Sequence, residues 1–85
     1  MVVYLISYDL VAPGKDYKTL YSALGALGAQ KVLLSQWVVR VHNTSAAALR
    51  DDLRQYMDAN DRILVNGLGG HNWASWNVLV DINTI

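Results

Sequence analysis

Cysteine is absent from the 85-residue chain. Disulfides, thiol nucleophiles and Cys-based zinc sites are therefore excluded. Glutamate is absent too: all 7 acidic residues are Asp. There is no excess of positive charge, because 7 basic residues balance them and the formal net charge is zero. Proteins that seize nucleic acid by charge alone carry a basic excess. Any such binding here has to rest on a local cluster. No run approaches the roughly 20 apolar residues of a membrane span. The N-terminus lacks a basic region followed by an apolar stretch of about 7–15 residues and a cleavage site. The expectation is a soluble, cytoplasmic protein with no membrane partner.

What is present is mostly apolar: 53% of residues are hydrophobic and only 16% are charged. That rules out a disordered chain, and it is high for a small monomer. The length corresponds to one domain spanning residues 1–85, with a core over 1–68 and a C-terminal extension over 69–85. A chain this short buries only about 60% of its unfolded surface. Small domains of this kind often gain stability from a partner.

Val2 to Leu10 reads as a strand, apolar on both faces at its start like a central sheet strand. Ala12-Pro13-Gly14 is a turn signal, and Asp16 is the expected N-cap of a helix. Tyr17, Leu20, Tyr21, Leu24 and Leu27 recur at helical spacing, and Gly28 supplies a stop. Lys31 to Val41 is β-rich but too long for one strand, so a turn or bulge is expected at Ser35-Gln36. Thr44 or Ser45 caps a second helix running to about Asp58, with Ala46, Leu49, Leu53 and Tyr56-Met57 as its apolar stripe. Arg50 and Arg54 stand one turn apart on its polar face and read as solvated charges. Arg62 to Asn66 is a further strand, and Val78 to Ile82 is read as a last one. The order β-α-β-β-α-β predicts an α+β, ferredoxin-like sandwich with a C-terminal extension strand and both helices on one sheet face.

Strand parity sorts the two faces. Tyr4, Ile6, Tyr8, Trp37, Val39, Val41, Ile63 and Val65 are expected against the helices. Val3, Leu5, Ser7, Asp9, Gln36, Val38, Arg40, Leu64 and Asn66 fall on the opposite, bare face. Covering Val3, Leu5, Val38 and Leu64 would contribute roughly 6–12 kcal/mol as an upper bound. That is comparable to the ~5–15 kcal/mol of a whole domain. The expectation is a two-fold homodimer joined through Val3, Leu5, Val38 and Leu64.

Asp9 is the candidate chemical residue, a carboxylate delivered by a rigid strand to the mouth of a sheet beside a loop. A two-fold axis nearby would bring two Asp9 side chains together. Close carboxylates repel unless one is protonated or a cation lies between them. A hard cation with oxygen ligands, such as Mg²⁺, fits that chemistry and would activate water against a phosphodiester. The two histidines, His42 and His71, match no zinc-ligand spacing. His42, at a strand end, is read as a loop hydrogen-bonder, and His71, in Gly70-His71-Asn72-Trp73, is a general-base candidate that nothing else in the sequence supports. Trp73 and Trp76 are read as pins that hold a tail on the core or on a partner, with base stacking as the alternative.

Several pieces taken in order resemble the CRISPR-associated Cas-two proteins and the related VapD and SinR-like small proteins. They are Tyr8-Asp9-Leu10, Leu24-Gly25-Ala26-Leu27-Gly28-Ala29, Leu34-Ser35-Gln36-Trp37-Val38-Val39, Ala48-Leu49-Arg50-Asp51-Asp52-Leu53 and Asp61-Arg62-Ile63-Leu64-Val65. The resemblance covers roughly residues 1–68 and rests on order and spacing; the SinR-like members fit best. It implies a ferredoxin-like homodimer with facing sheets. It also implies a final strand, containing Val80, that crosses to the partner. Members act as metal-dependent nucleases on RNA or DNA, or as non-catalytic scaffolds that hold DNA beside an integrase. By the resemblance, Asp9 is the metal-binding aspartate and Ser35 the family's serine. Lys15, Lys18 and Arg40 are the cations expected to neutralise phosphate. Only Lys15 and Lys18 stand where the family carries a basic run, and Arg40 stands near where it tends to carry an acid.

Overall fold

A computed structural model describes residues 2–11, 16–69 and 73–84. Its elements are strand β1 (Val2–Asp9), helix α1 (Lys18–Ala26), strands β2 (Gln30–Leu33) and β3 (Gln36–Val41), helix α2 (Ala46–Arg54) and strand β4 (Arg62–Gly67). A single 3₁₀ turn, Ile82–Thr84, follows. The chain is thus a small α+β protein with a four-stranded antiparallel sheet in the order β2-β3-β1-β4. This arrangement is compatible with a ferredoxin-like plan.

Local chemistry explains most of the boundaries. The Ser45 hydroxyl accepts the Ala48 N–H at 3.1 Å and caps α2. Gly28, at φ 83°, ends α1, with Ala29 N–H donating to Leu24 O and Gly28 N–H to Gly25 O, each at 3.0 Å. That is the paired hydrogen bonding of a Schellman stop, which favours a residue without a Cβ. Asp16 accepts the Lys18 N–H at 3.0 Å, but the cap position belongs to Tyr17, one residue later. Tyr17 sits there in the left-handed region at φ 53°, unusual for a bulky residue. Its burial and its hydroxyl's 2.7 Å hydrogen bond to Asp61 Oδ1 hold it there.

Helix α2 stops at Arg54, earlier than the expected Asp58, and gives way to turns. The β2–β3 turn is Leu34-Ser35, one residue before the expected Ser35-Gln36. The pairing register shifts between Lys31 and Leu33, so the expected irregularity lies inside β2.

The helix-side face follows the parity reading. Tyr4, Ile6, Tyr8 and Val39 meet Leu20 and Leu24 of α1 and Leu49 and Leu53 of α2 in one buried cluster. Trp37, Val41, Ile63 and Val65 border it. Burying each Leu or Ile side chain contributes about 1.5–3 kcal/mol, so this layer is the main source of stability.

The other face is not bare. Val3, Val32 and Val38 are buried under the chain's own C-terminal segment, packed on Ile82, with Leu5, Leu68, Trp73, Val78 and Val80 around them. Of the five residues expected to meet a second copy, Val3, Leu5, Val38 and Val80 therefore pack within one chain. Leu64 alone stays open, at 61% exposure. The expected final strand is also replaced. Asp81 draws the chain into a local turn: its carboxylate accepts the Asn83 N–H at 3.0 Å, and its carbonyl accepts the Thr84 hydroxyl at 2.7 Å. Such side-chain bonds compete with a strand ladder. One tail bond reaches the sheet edge, from Leu79 N–H to Val32 O at 2.9 Å. Among the described residues, no helix is long and apolar enough to cross a membrane.

Candidate functional site

Asp9 is the last residue of β1, and antiparallel pairing sets it opposite Arg62, the first residue of β4. On the other side of β1, Tyr8 N–H donates to Ser35 O at 3.1 Å. The end of β1 and the β2–β3 turn are therefore tied together. An open cleft of about 300 Å³ results, lined by Ser7, Tyr8, Asp9, Ser35, Gln36 and Arg62, among others. A wider depression of about 470 Å³ wraps around the same sheet end, between Asp9, Arg62, Ser35, Leu34 and Tyr21. The two residues singled out from the sequence, Asp9 and Ser35, share both hollows.

The electrostatics of the cleft rest on a residue that sequence reading did not select. Arg62 Nη1 lies 3.7 Å from Asp9 Oδ2, and both side chains are largely exposed, at 74% and 68%. That distance makes an ion pair but is too long for a hydrogen bond. The signal was available: pairing β1 and β4 antiparallel with apolar residues aligned puts Asp9 opposite Arg62. The other expected cations lie elsewhere. Arg40 pairs with Val3, six residues back along β1 from Asp9, or roughly 20 Å at the rise of a strand. Lys18 pairs locally with Asp16 at 4.0 Å. Lys15 and His71 lie outside the described residues.

Behind the cleft, on the helix side, lies an aromatic group. The Trp37 indole N–H donates to the Tyr8 phenol oxygen at 2.9 Å. Tyr21 stacks on Trp37 with ring centroids 6.3 Å apart, and Lys31 Nζ lies 5.7 Å from the Tyr21 ring centre. Burial pushes the Tyr8 phenol above its ordinary pKa, outweighing the lowering effect of the Trp37 hydrogen bond. At neutral pH this phenol is a proton-bearing structural group, not a nucleophile.

Asp61, next to Arg62, is a structural clamp. Its Oδ1 accepts the Val11 N–H and the Tyr17 hydroxyl, each at 2.7 Å, and its Oδ2 accepts the Asp58 N–H at 2.7 Å. One carboxylate thereby ties the end of β1, the start of α1 and the loop before β4. It holds the strand end from which Arg62 reaches Asp9.

The cleft offers one carboxylate, the hydroxyls of Ser7 and Ser35 and the amide of Gln36, with a guanidinium 3.7 Å from that carboxylate. Mg²⁺ is commonly held by one or two carboxylates together with waters and substrate phosphates, while a positive charge beside the ligand opposes it. Among the described residues, no group of three or more His, Cys, Asp or Glu gathers elsewhere. No family model matches the chain, and no solved structure matches it.

Proposed function

We propose that the chain is a ferredoxin-like, non-catalytic binding module that works by protein–protein assembly. Read from its other edge, the strand order is β4-β1-β3-β2, which supports a split βαβ plan. One observation carries the functional reading: the strand-end acid at the cleft faces the guanidinium of Arg62, 3.7 Å away on the neighbouring strand. A cation placed beside a carboxylate makes it a weaker draw for a second one. Zero net charge and the local pairing of Lys18 with Asp16 and Arg50 with Asp51 argue against a phosphate-binding surface.

The test is incubation of labelled RNA and DNA with the purified protein, with and without Mg²⁺, beside Asp9→Ala. No hydrolysis above background is expected. Gel shifts should show weak retention, because several phosphate contacts would produce a steep loss with salt.

A second reading is a Cas-two-type, metal-dependent nuclease. It is favoured by the shared cleft of Asp9 and Ser35. Cleavage that requires Mg²⁺ and disappears with Asp9→Ala would establish it and displace the first.

A further inference from the structure

The cleft and the wider depression at the sheet end meet at the Asp9–Arg62 pair, which lines both. Beyond the pair the two hollows differ in chemistry. The cleft continues to Ser7 and Gln36, which are polar. The depression, about 470 Å³, continues to Leu10, Val11, Tyr21 and Leu34. Leu34 is 82% exposed, and Val11 and Tyr21 also keep much of their apolar surface in water. Two opposite charges thus stand on the border between a polar and an apolar surface.

The pair keeps its bonding capacity. Asp9 Oδ2 and Arg62 Nη1 are 3.7 Å apart, so these atoms spend no hydrogen bond on each other. A carboxylate accepts several hydrogen bonds and a guanidinium donates several. The Ser35 hydroxyl, common to both hollows, adds a neutral donor and acceptor.

Opposite charges side by side select a ligand by its charge pattern. A lone anion such as phosphate is drawn by Arg62 and opposed by Asp9; a lone cation meets the reverse. A ligand with an ammonium and a carboxylate on one small frame is attracted at both ends. It exchanges a separation too long for a hydrogen bond for two charge-assisted ones. The depression has the size of small-molecule sites, which span ~300–1,000 Å³. Its apolar wall favours a ligand that also carries a large apolar group, because contact removes Leu34 and Tyr21 from water.

We propose that this sheet end binds a free α-amino acid with a large apolar side chain. The Asp9 carboxylate accepts from the ligand's ammonium, the Arg62 guanidinium donates to its carboxylate, and its side chain lies along Leu34 and Tyr21. The inference goes beyond assembly with a protein and does not depend on it. It gives the charged pair a role that needs neither a metal nor catalysis.

The experiment is an amide chemical-shift titration of the full chain with L-phenylalanine and L-leucine at neutral pH. Both should give saturable shifts around Asp9, Ser35 and Arg62, with dissociation constants on the order of 1 mM. Glycine lacks the side chain, phenylpropanoate the ammonium and phenylethylamine the carboxylate. Each should bind at least about 10-fold more weakly than phenylalanine, a comparison that needs no variant to fold. Asp9→Asn and Arg62→Gln, both at exposed positions, should each weaken phenylalanine roughly 10-fold with unchanged circular dichroism. No saturable shift at ~10 mM phenylalanine would overturn the proposal. So would phenylpropanoate or phenylethylamine binding as tightly as phenylalanine, or folded variants that bind it like wild type. A titration without response overturns this ligand and leaves the module reading standing. That reading falls separately, if nucleic acid is cleaved through Asp9.

Discussion

The two faces of the sheet are sealed by different means. On the helix side, Leu20, Leu24, Leu49 and Leu53 repeat at helical spacing and close over Tyr4, Ile6, Tyr8 and Val39. On the other side, an irregular tail covers Val3, Val32 and Val38 through Ile82 and a few half-buried neighbours. It leaves Leu64 and Trp76 in water. A periodic element delivers an apolar residue at every turn, so it covers whatever lies beneath it. A tail without periodicity covers only what its individual anchors reach. The helix face is therefore where most of the stability resides, and the tail face is where large apolar side chains stay exposed.

The sharpest way to break this comparison is to cut one side chain from each layer. Leu24 is fully buried, and Leu24→Ala should cost about 3–5 kcal/mol, a large share of a small domain's total. Ile82 anchors the tail at 8% exposure, where the cavity opens toward solvent. Ile82→Ala should cost only about 2 kcal/mol. Urea midpoints at equal slope measure both. Equal losses would mean that the tail is as integral to the core as the helices.

The next effect concerns the clamp that ties the helix layer to the sheet end. Asp61→Ala removes the acceptor of three donors and should cost about 2–4 kcal/mol. Asp61→Asn keeps one acceptor oxygen and should recover part of that. A thermal melt that does not separate the two variants would show that size, not hydrogen bonding, matters at this position.

How far the sequence foretells these layers follows from the same contrast. Tyr4, Ile6 and Tyr8 fall on the helix side, with Val39 and Ile63, because strand parity and helical spacing are repeated signals. Gly28 and Ser45 end and begin helices for reasons readable in a few residues. The tail has no such repeat. Val78-Leu79-Val80 looks like a strand until Asp81 bends the chain into a turn. At the site, Asp9 and Ser35 are legible as candidates, since a strand end and a turn are fixed points of the plan. Arg62 is missed because it becomes a partner of Asp9 only through cross-strand register. Asp61 is missed because its three donors come from segments distant in the chain. Trp73 is half-buried on the core as a pin, while Trp76, three residues on, is not.

A smaller effect separates the faces by pH. Burial on the helix side raises the Tyr8 phenol above its ordinary value of 10.0. The unfolded chain then loses this proton first as pH rises. The stability held by neutral Tyr8 is complete below about pH 10 and falls as pH climbs through the folded pKa. Tyrosinate absorbance should therefore rise together with unfolding. Tyr8→Phe should flatten the alkaline decline, while lowering neutral stability by about 1 kcal/mol because the Trp37 indole loses its acceptor.

The smallest expected effect tests the cleft at the open end of the tail face. Asp9 and Arg62 are exposed and 3.7 Å apart, so Arg62→Ala should change stability by less than about 1 kcal/mol. Its value lies in what it does to Asp9. If the ion pair is what keeps this carboxylate from a cation, removing the guanidinium leaves an uncompensated acid beside Ser35. Mg²⁺ titration, followed by the melting temperature of Arg62→Ala and of wild type, measures that directly. A metal-dependent rise confined to Arg62→Ala would identify Arg62 as the residue that holds the cleft out of metal chemistry. A rise of equal size in wild type would mean that the pair does not guard Asp9, and the nuclease reading would gain what the binding reading loses.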